Sequence, residues 1–73
     1  MKIFQGYIKM TNLKRIRNSK KLSQSQLSKL SDVNLRMIQK YEMQVKDINK
    51  AQCLTVYKLA KALDCNIEDL LEI

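Results

Sequence analysis

Arg36, Gln39 and Lys40 stand at spacing i, i+3, i+4 in the stretch "LRMIQKYE". If that stretch is helical, the spacing places all three side chains on one side of it. The chemistry open to them is recognition by hydrogen bonding. Arg36 and Lys40 can donate to O6 and N7 of guanine, Gln39 can pair with adenine, and Leu35 beside them can touch a thymine methyl. On these residues alone an ordinary solvated helix face is the better reading, since exposed faces are usually charged. Catalysis is poorer still. The chain has no His for acid–base work, no glycine-rich phosphate loop, and no Ser or Cys with an evident partner base. No cofactor is implied, and two Cys without a His do not supply a structural zinc site.

The elements around this face read as short helices. In "TNLKRIRNSKK", Thr11 or Asn12 can cap a first helix, with Leu13 and Ile16 inward and Lys14, Arg15, Asn18 and Lys21 outward. Ser23 and Gln26 stand at capping-box spacing, and Leu22 and Leu27 sit where a hydrophobic staple clamps the start of a second helix. That helix is expected to carry Leu27 and Leu30 inward and to end near Ser31. Asp32 tolerates a left-handed turn, and Asn34 can cap a third helix with Met37, Ile38 and Tyr41 on its inner side. A linker, "QVKDIN", precedes a fourth helix from about Lys50 to Leu63. Cys53, Val56, Tyr57, Leu59, Ala60 and Leu63 form its apolar face. Asn66 caps a last helix from Ile67 to about Leu71, with Glu68 and Asp69 in the first turn, where the helix dipole favours them. The expected architecture is all-α, with five helices over residues 11–73. Residues 1–10 form an arm, in which Ile3, Phe4, Tyr7 and Ile8 fit no clean period and the only glycine, Gly6, interrupts them.

Seventy-three residues make one small domain, and an apolar fraction of 45% is ordinary for a folded one. No apolar run is long enough to span a bilayer and no signal peptide is evident, so the cytoplasm is the expected compartment, with both thiols free. The net charge of +7 is unevenly placed. Residues 1–50 hold twelve Lys and Arg against three acids, whereas residues 51–73 are net −2. A basic body with an acidic end suggests a polyanion on one side and a different task on the other.

Two helices joined across a three-residue turn form a helix-turn-helix, whose second helix fits the DNA major groove. The segments "LKRIRNSKKLSQSQLSKLSDVNLRMIQKYE" and "LTVYKLAKALDCNIEDLL" resemble the Cro/phage-repressor (XRE) helix-turn-helix family from Leu13 to Leu71. The resemblance implies a five-helix lambda-repressor-like domain that binds double-stranded DNA and regulates transcription, with repression the first reading. It implies that Leu35, Arg36 and Lys40 read bases, with Gln39 between them on the same face. It places Ser23, Gln24 and Lys46 on the DNA backbone, with Gln24 also supporting the third helix, and pairs Arg17 with Glu42 between the first and third helices. Where the family often has Gly, this chain has Asp32, Gln44 and Asp64. Gln tolerates the left-handed region poorly, so the third helix is expected to run on past Met43 or to end in a different turn.

Ending at Ile73, just after the fifth helix, the chain resembles a stand-alone Cro-like regulator. One domain this small reads too few base pairs for a genome-scale search, and two copies related by a two-fold axis solve this on a pseudo-palindromic operator. The acidic end is free for that contact, so Ile67, Leu70, Leu71 and Ile73 are the expected homodimer surface, with the arm second. The rival is an antitoxin-like or adaptor module whose main partner is another protein; the apolar arm is the feature that favours it. A membrane-surface peptide fits less well, because the basic residues are spread over several helices.

Overall fold

The computed structural model describes residues 10–73. The expected arm therefore falls, Met10 aside, outside the described residues. Each of the first three helices begins where a short polar side chain takes up a free N–H. Helix α1 (Asn12–Ser19) is capped by Thr11, whose hydroxyl accepts the Lys14 N–H at 3.1 Å. Helix α2 (Gln24–Ser31) opens on the full capping box: Gln26 N–H donates to Ser23 Oγ at 3.0 Å, and Ser23 N–H donates to Gln26 Oε1 at 2.8 Å. Asn34 accepts the Arg36 N–H at 2.8 Å and starts α3 (Leu35–Glu42). A 3₁₀ turn (Ile48–Lys50) leads into α4 (Cys53–Leu63), and α5 (Ile67–Leu70) closes the order.

The ends of these helices follow a common device. Lys21, Asp32, Gln44 and Asp64 all adopt the left-handed conformation, with φ between 55° and 62°. After α3, Val45 N–H reaches back to Lys40 C=O at 2.9 Å and Gln44 N–H to Tyr41 C=O at 3.1 Å, a Schellman closure. The same pair of bonds closes α1 around Lys21 and α4 around Asp64, while Asp32 closes α2 with one bond to Ser28 C=O. Thus α3 does not run on past Met43. It stops at Glu42, and Gln44 bears the left-handed strain itself. Satisfying the helix's last carbonyls outweighs a backbone cost of about 1–2 kcal/mol there.

The core is built from one residue set per helix: Leu13 from α1, Leu27 from α2, Ile38 and Tyr41 from α3, Val56, Leu59, Ala60 and Leu63 from α4, and Leu70 from α5. Each large side chain removed from water contributes about 1.5–3 kcal/mol. Leu22 packs against this cluster beside Leu27, as the staple predicts. Helix α2 packs chiefly on α3 and α4, so α4 supports the helix-turn-helix pair through α2.

Several expectations need correction. Leu30 is 62% exposed. The buried stripe of α2 runs from Leu27 to Ser31 at i, i+4, and Ser31 satisfies its burial by accepting the Val33 N–H at 3.2 Å. The fourth helix starts at Cys53, not Lys50, and its inward stripe is Val56–Leu59–Ala60–Leu63, which leaves Cys53 and Tyr57 exposed. Ile48, assigned to a linker, is in the core because the 3₁₀ turn folds it inward. The last helix ends at Leu70, and Leu70 is completely buried, so it leaves no side chain on any surface for a second copy.

Candidate nucleic-acid interface

The position of α3 is set from its inner side. Ile38 and Tyr41 are buried in the core, and Glu42, its final residue, is buried beside them. A carboxylate in that place needs partners, because an unpaired buried charge is expensive. Arg17 supplies them as a fork: Nε donates to Oε2 at 2.7 Å and Nη2 to Oε1 at 2.9 Å. The third nitrogen of the guanidinium, Nη1, donates to Leu22 C=O at 2.7 Å, in the connection between α1 and α2. Gln24 then adds Nε2 to Glu42 Oε1 at 3.0 Å. One carboxylate thus takes hydrogen bonds from α1 and α2 while ending α3. The expected Arg17–Glu42 pair is formed, and it is bidentate and buried.

The residues expected on the DNA backbone lie at or near this junction. Gln24, in the first turn of α2, is bonded to Glu42 in the last turn of α3, so these two helix ends lie together. Ser23 caps α2 there and is exposed. Lys46, exposed, follows α3 with its N–H on Lys40 C=O at 3.2 Å. Gln24 is half-buried and uses one amide hydrogen on Glu42, so its role in holding α3 is visible in the structure.

Opposite the buried side, α3 presents Arg36, which is exposed, with Gln39, Lys40 and Leu35 half-exposed. Met43 is exposed at the end of the same row. An α-helix with its side chains is about 10–12 Å across, which fits the major groove's width of roughly 12 Å. Among the described residues the side chains of Arg36 and Lys40 make no ion pair. The turn before this helix is built by two serines that sequence reasoning passed over. Ser28 Oγ donates to Val33 C=O at 2.6 Å, and Ser31 takes the Val33 N–H. Their signal was Ser at both i and i+3 just ahead of Asp32, an arrangement that helix periodicity alone does not interpret.

Titration adds little to the site. Burial pushes the Tyr41 phenol up. Burial, then the nearby Asp69 carboxylate, raises the Cys65 thiol, and both cysteines are free. Among the described residues no cluster of His, Cys, Asp and Glu could hold a metal, and no helix is long and apolar enough to cross a membrane.

Two short helices across a turn, the second pinned from behind and bearing cationic and amide side chains in front, define a helix-turn-helix DNA-binding domain. The helix-turn-helix family model matches residues 13–70. The chain belongs to that family, in its Cro/phage-repressor (XRE) branch, and is a DNA-binding transcription regulator. Among solved structures it is similar to the restriction-modification controller protein C.AhdI from Aeromonas hydrophila, at 28% identity and a TM-score of 0.72, over 82% of this chain and 86% of that one. No curated protein matches the chain in sequence.

Proposed function

We propose that the protein is a repressor that binds a pseudo-palindromic operator as a homodimer. In this reading Leu35, Arg36, Gln39 and Lys40 read base edges in the major groove, and Ser23, Gln24 and Lys46 contact phosphates. The observation that carries it is the two-sidedness of α3: its inner side is fixed by Ile38, Tyr41 and Glu42, while Arg36 and Lys40 on the other side have no ion-pair partner among the described residues. A basic surface with an acidic far end supports the same assignment. Similarity to a restriction-modification controller protein supports a regulatory role.

For the second copy, the proposed surface narrows to Ile67, Leu71 and Ile73, because Leu70 is buried. Ile67 lines a shallow cleft of about 290 Å³ together with Tyr57, and Lys61 and Glu68 stand at its rim. Two copies meeting there across a two-fold axis can place Lys61 of each against Glu68 of the other, which is self-complementary. Selection of bound sequences from a random DNA pool tests the whole reading. A palindromic consensus with half-sites roughly 34 Å apart is expected. An asymmetric site bound by one copy at saturation would remove the dimer, and absence of any enriched sequence would remove specific DNA recognition. A reporter whose promoter overlaps the selected site should lose expression when the protein is supplied; increased expression would make it an activator.

A further inference from the structure

The loop after α3 carries Lys46, an exposed side chain with no ion-pair partner among the described residues. Its backbone, however, is held at both ends. In front, Gln44 N–H bonds Tyr41 C=O, and the Val45 and Lys46 N–H groups bond Lys40 C=O. Behind, Asp47 accepts the Asn49 N–H at 2.9 Å and starts the 3₁₀ turn that buries Ile48. The Asn49 side chain then spends both ends of its amide on one residue: Nδ2 donates to Glu72 C=O at 3.0 Å, and Oδ1 accepts the Glu72 N–H at 2.8 Å. Two bonds to the main chain of one residue fix orientation as well as distance. Residues 71 and 72 are fixed in turn by α1. Asn12 N–H donates to Glu72 Oε2 at 2.6 Å, and Asn12 Nδ2 donates to Leu71 C=O at 2.8 Å. Since Arg17 of α1 also grips Glu42 of α3, the loop closes a ring of polar contacts: α3, Arg17, Asn12, Glu72, Asn49 and back to α3.

We infer that Asn49 is a positioning residue for DNA binding, which holds the Lys46 loop against the segment that follows α5. The inference rests on the DNA-contact reading of Lys46 given above. The Asn49–Glu72 bonds are exposed, and exposed hydrogen bonds between neutral groups add little to folding, because water replaces them. They do restrict where the loop can go. A phosphate contact on a pre-ordered loop survives the entropy cost of binding, whereas on a loose loop that cost exceeds what one exposed contact supplies and the contact is lost. The tie therefore acts on affinity more than on stability, and it does so through Lys46.

The test compares Asn49→Ala, Lys46→Ala and the double variant, each titrated against the selected operator over a range of salt. Amide hydrogen exchange of residues 44–47 is followed in the free proteins. Asn49→Ala is expected to weaken operator binding about 5- to 10-fold and to reduce the salt slope by about one, the signature of one lost phosphate contact. Its melting temperature should stay within a few degrees of the parent and its preferred sequence should not change. Lys46→Ala should give the same affinity and slope, and the double variant should equal either single one. Exchange at residues 44–47 should quicken in Asn49→Ala, while the amides of α2 keep their protection. A slope equal to that of the parent would make Asn49 a direct neutral contact and overturn the proposal, as would additive losses in the double variant. Unchanged loop exchange overturns it without reference to DNA. Failure of the parent protein to bind any DNA would instead sink the DNA-contact reading, with the exchange result still deciding whether Asn49 orders the loop.

Discussion

Two junctions hold α3 and its following loop, and they are built on opposite terms. At Glu42 a carboxylate and a guanidinium form a buried pair, joined by the Gln24 amide, and three helices share the junction. At Glu72 the contacts are made mostly by neutral amides and main chain, and those to Asn49 are exposed. The first must be complete, because any missing partner leaves a charge in a poor dielectric. The second can be lost with water in its place. A buried charged junction therefore holds the fold together, whereas the exposed neutral bonds of Asn49 aim a segment within a fold that is already secure.

The largest test of this contrast is removal of one ionic partner. Arg17→Ala or Glu42→Ala should each cost about 3–5 kcal/mol, since each strands a buried charge. The double variant should cost clearly less than the two singles added. Urea denaturation measures both, and additive losses would mean that the pair does not act as a unit. Next, Arg36→Ala should leave denaturation unchanged but weaken operator binding by about 1–3 kcal/mol and relax preference at one base pair. Repeating the random-pool selection with the variant shows this directly, and an unchanged consensus would take Arg36 off the bases.

Gln24→Ala sits between the two kinds of junction. It removes one hydrogen bond to a charged group, worth about 1.5–3 kcal/mol, so stability and affinity should both fall while the preferred sequence stays the same. A shifted consensus would show that Gln24 reads a base. The smallest effect belongs to the exposed ion pair between Lys58 and Asp32, 3.9 Å apart. Lys58→Ala should change the unfolding free energy by no more than about 0.5 kcal/mol. A larger loss would mean that charge, and not burial, is what the comparison measures.

How much of this was legible beforehand follows the same division. Local rules found every helix, because a capping box at Ser23 and Gln26 or a cap at Asn34 needs only a few neighbouring residues. The Arg17–Glu42 pair was also legible, since a charge at an inward position must be matched and the resemblance named its match. Contacts made by neutral groups across long separations were not. Nothing in the sequence marks Asn12 and Asn49 as partners of residues 71 and 72, because an asparagine hydrogen-bonds main chain of any composition. Leu30 and Leu70 were misplaced for a related reason. Apolar type fixes a preference for burial, but which of two neighbouring stripes faces inward depends on what packs against the helix. For α2 that stripe included Ser31, whose hydroxyl could be satisfied locally. Lys21 shows the same limit at the backbone: a lysine carries no sign that it will adopt a left-handed φ of 59°.

The left-handed helix ends at Lys21 and Asp64 lie outside the proposed DNA-reading residues. Glycine at either place would relieve about 0.5–1 kcal/mol net, the backbone cost of a side chain there less the extra entropy glycine loses on folding. For a regulator, shifts of that size act on the cellular copy number. A chain that spends less time unfolded is degraded less, and changes of about 1–2 kcal/mol alter abundance several-fold. Operator occupancy depends on the product of concentration and affinity, so these two positions offer natural variation a way to tune how much of the operator is filled while each bound molecule grips it as before.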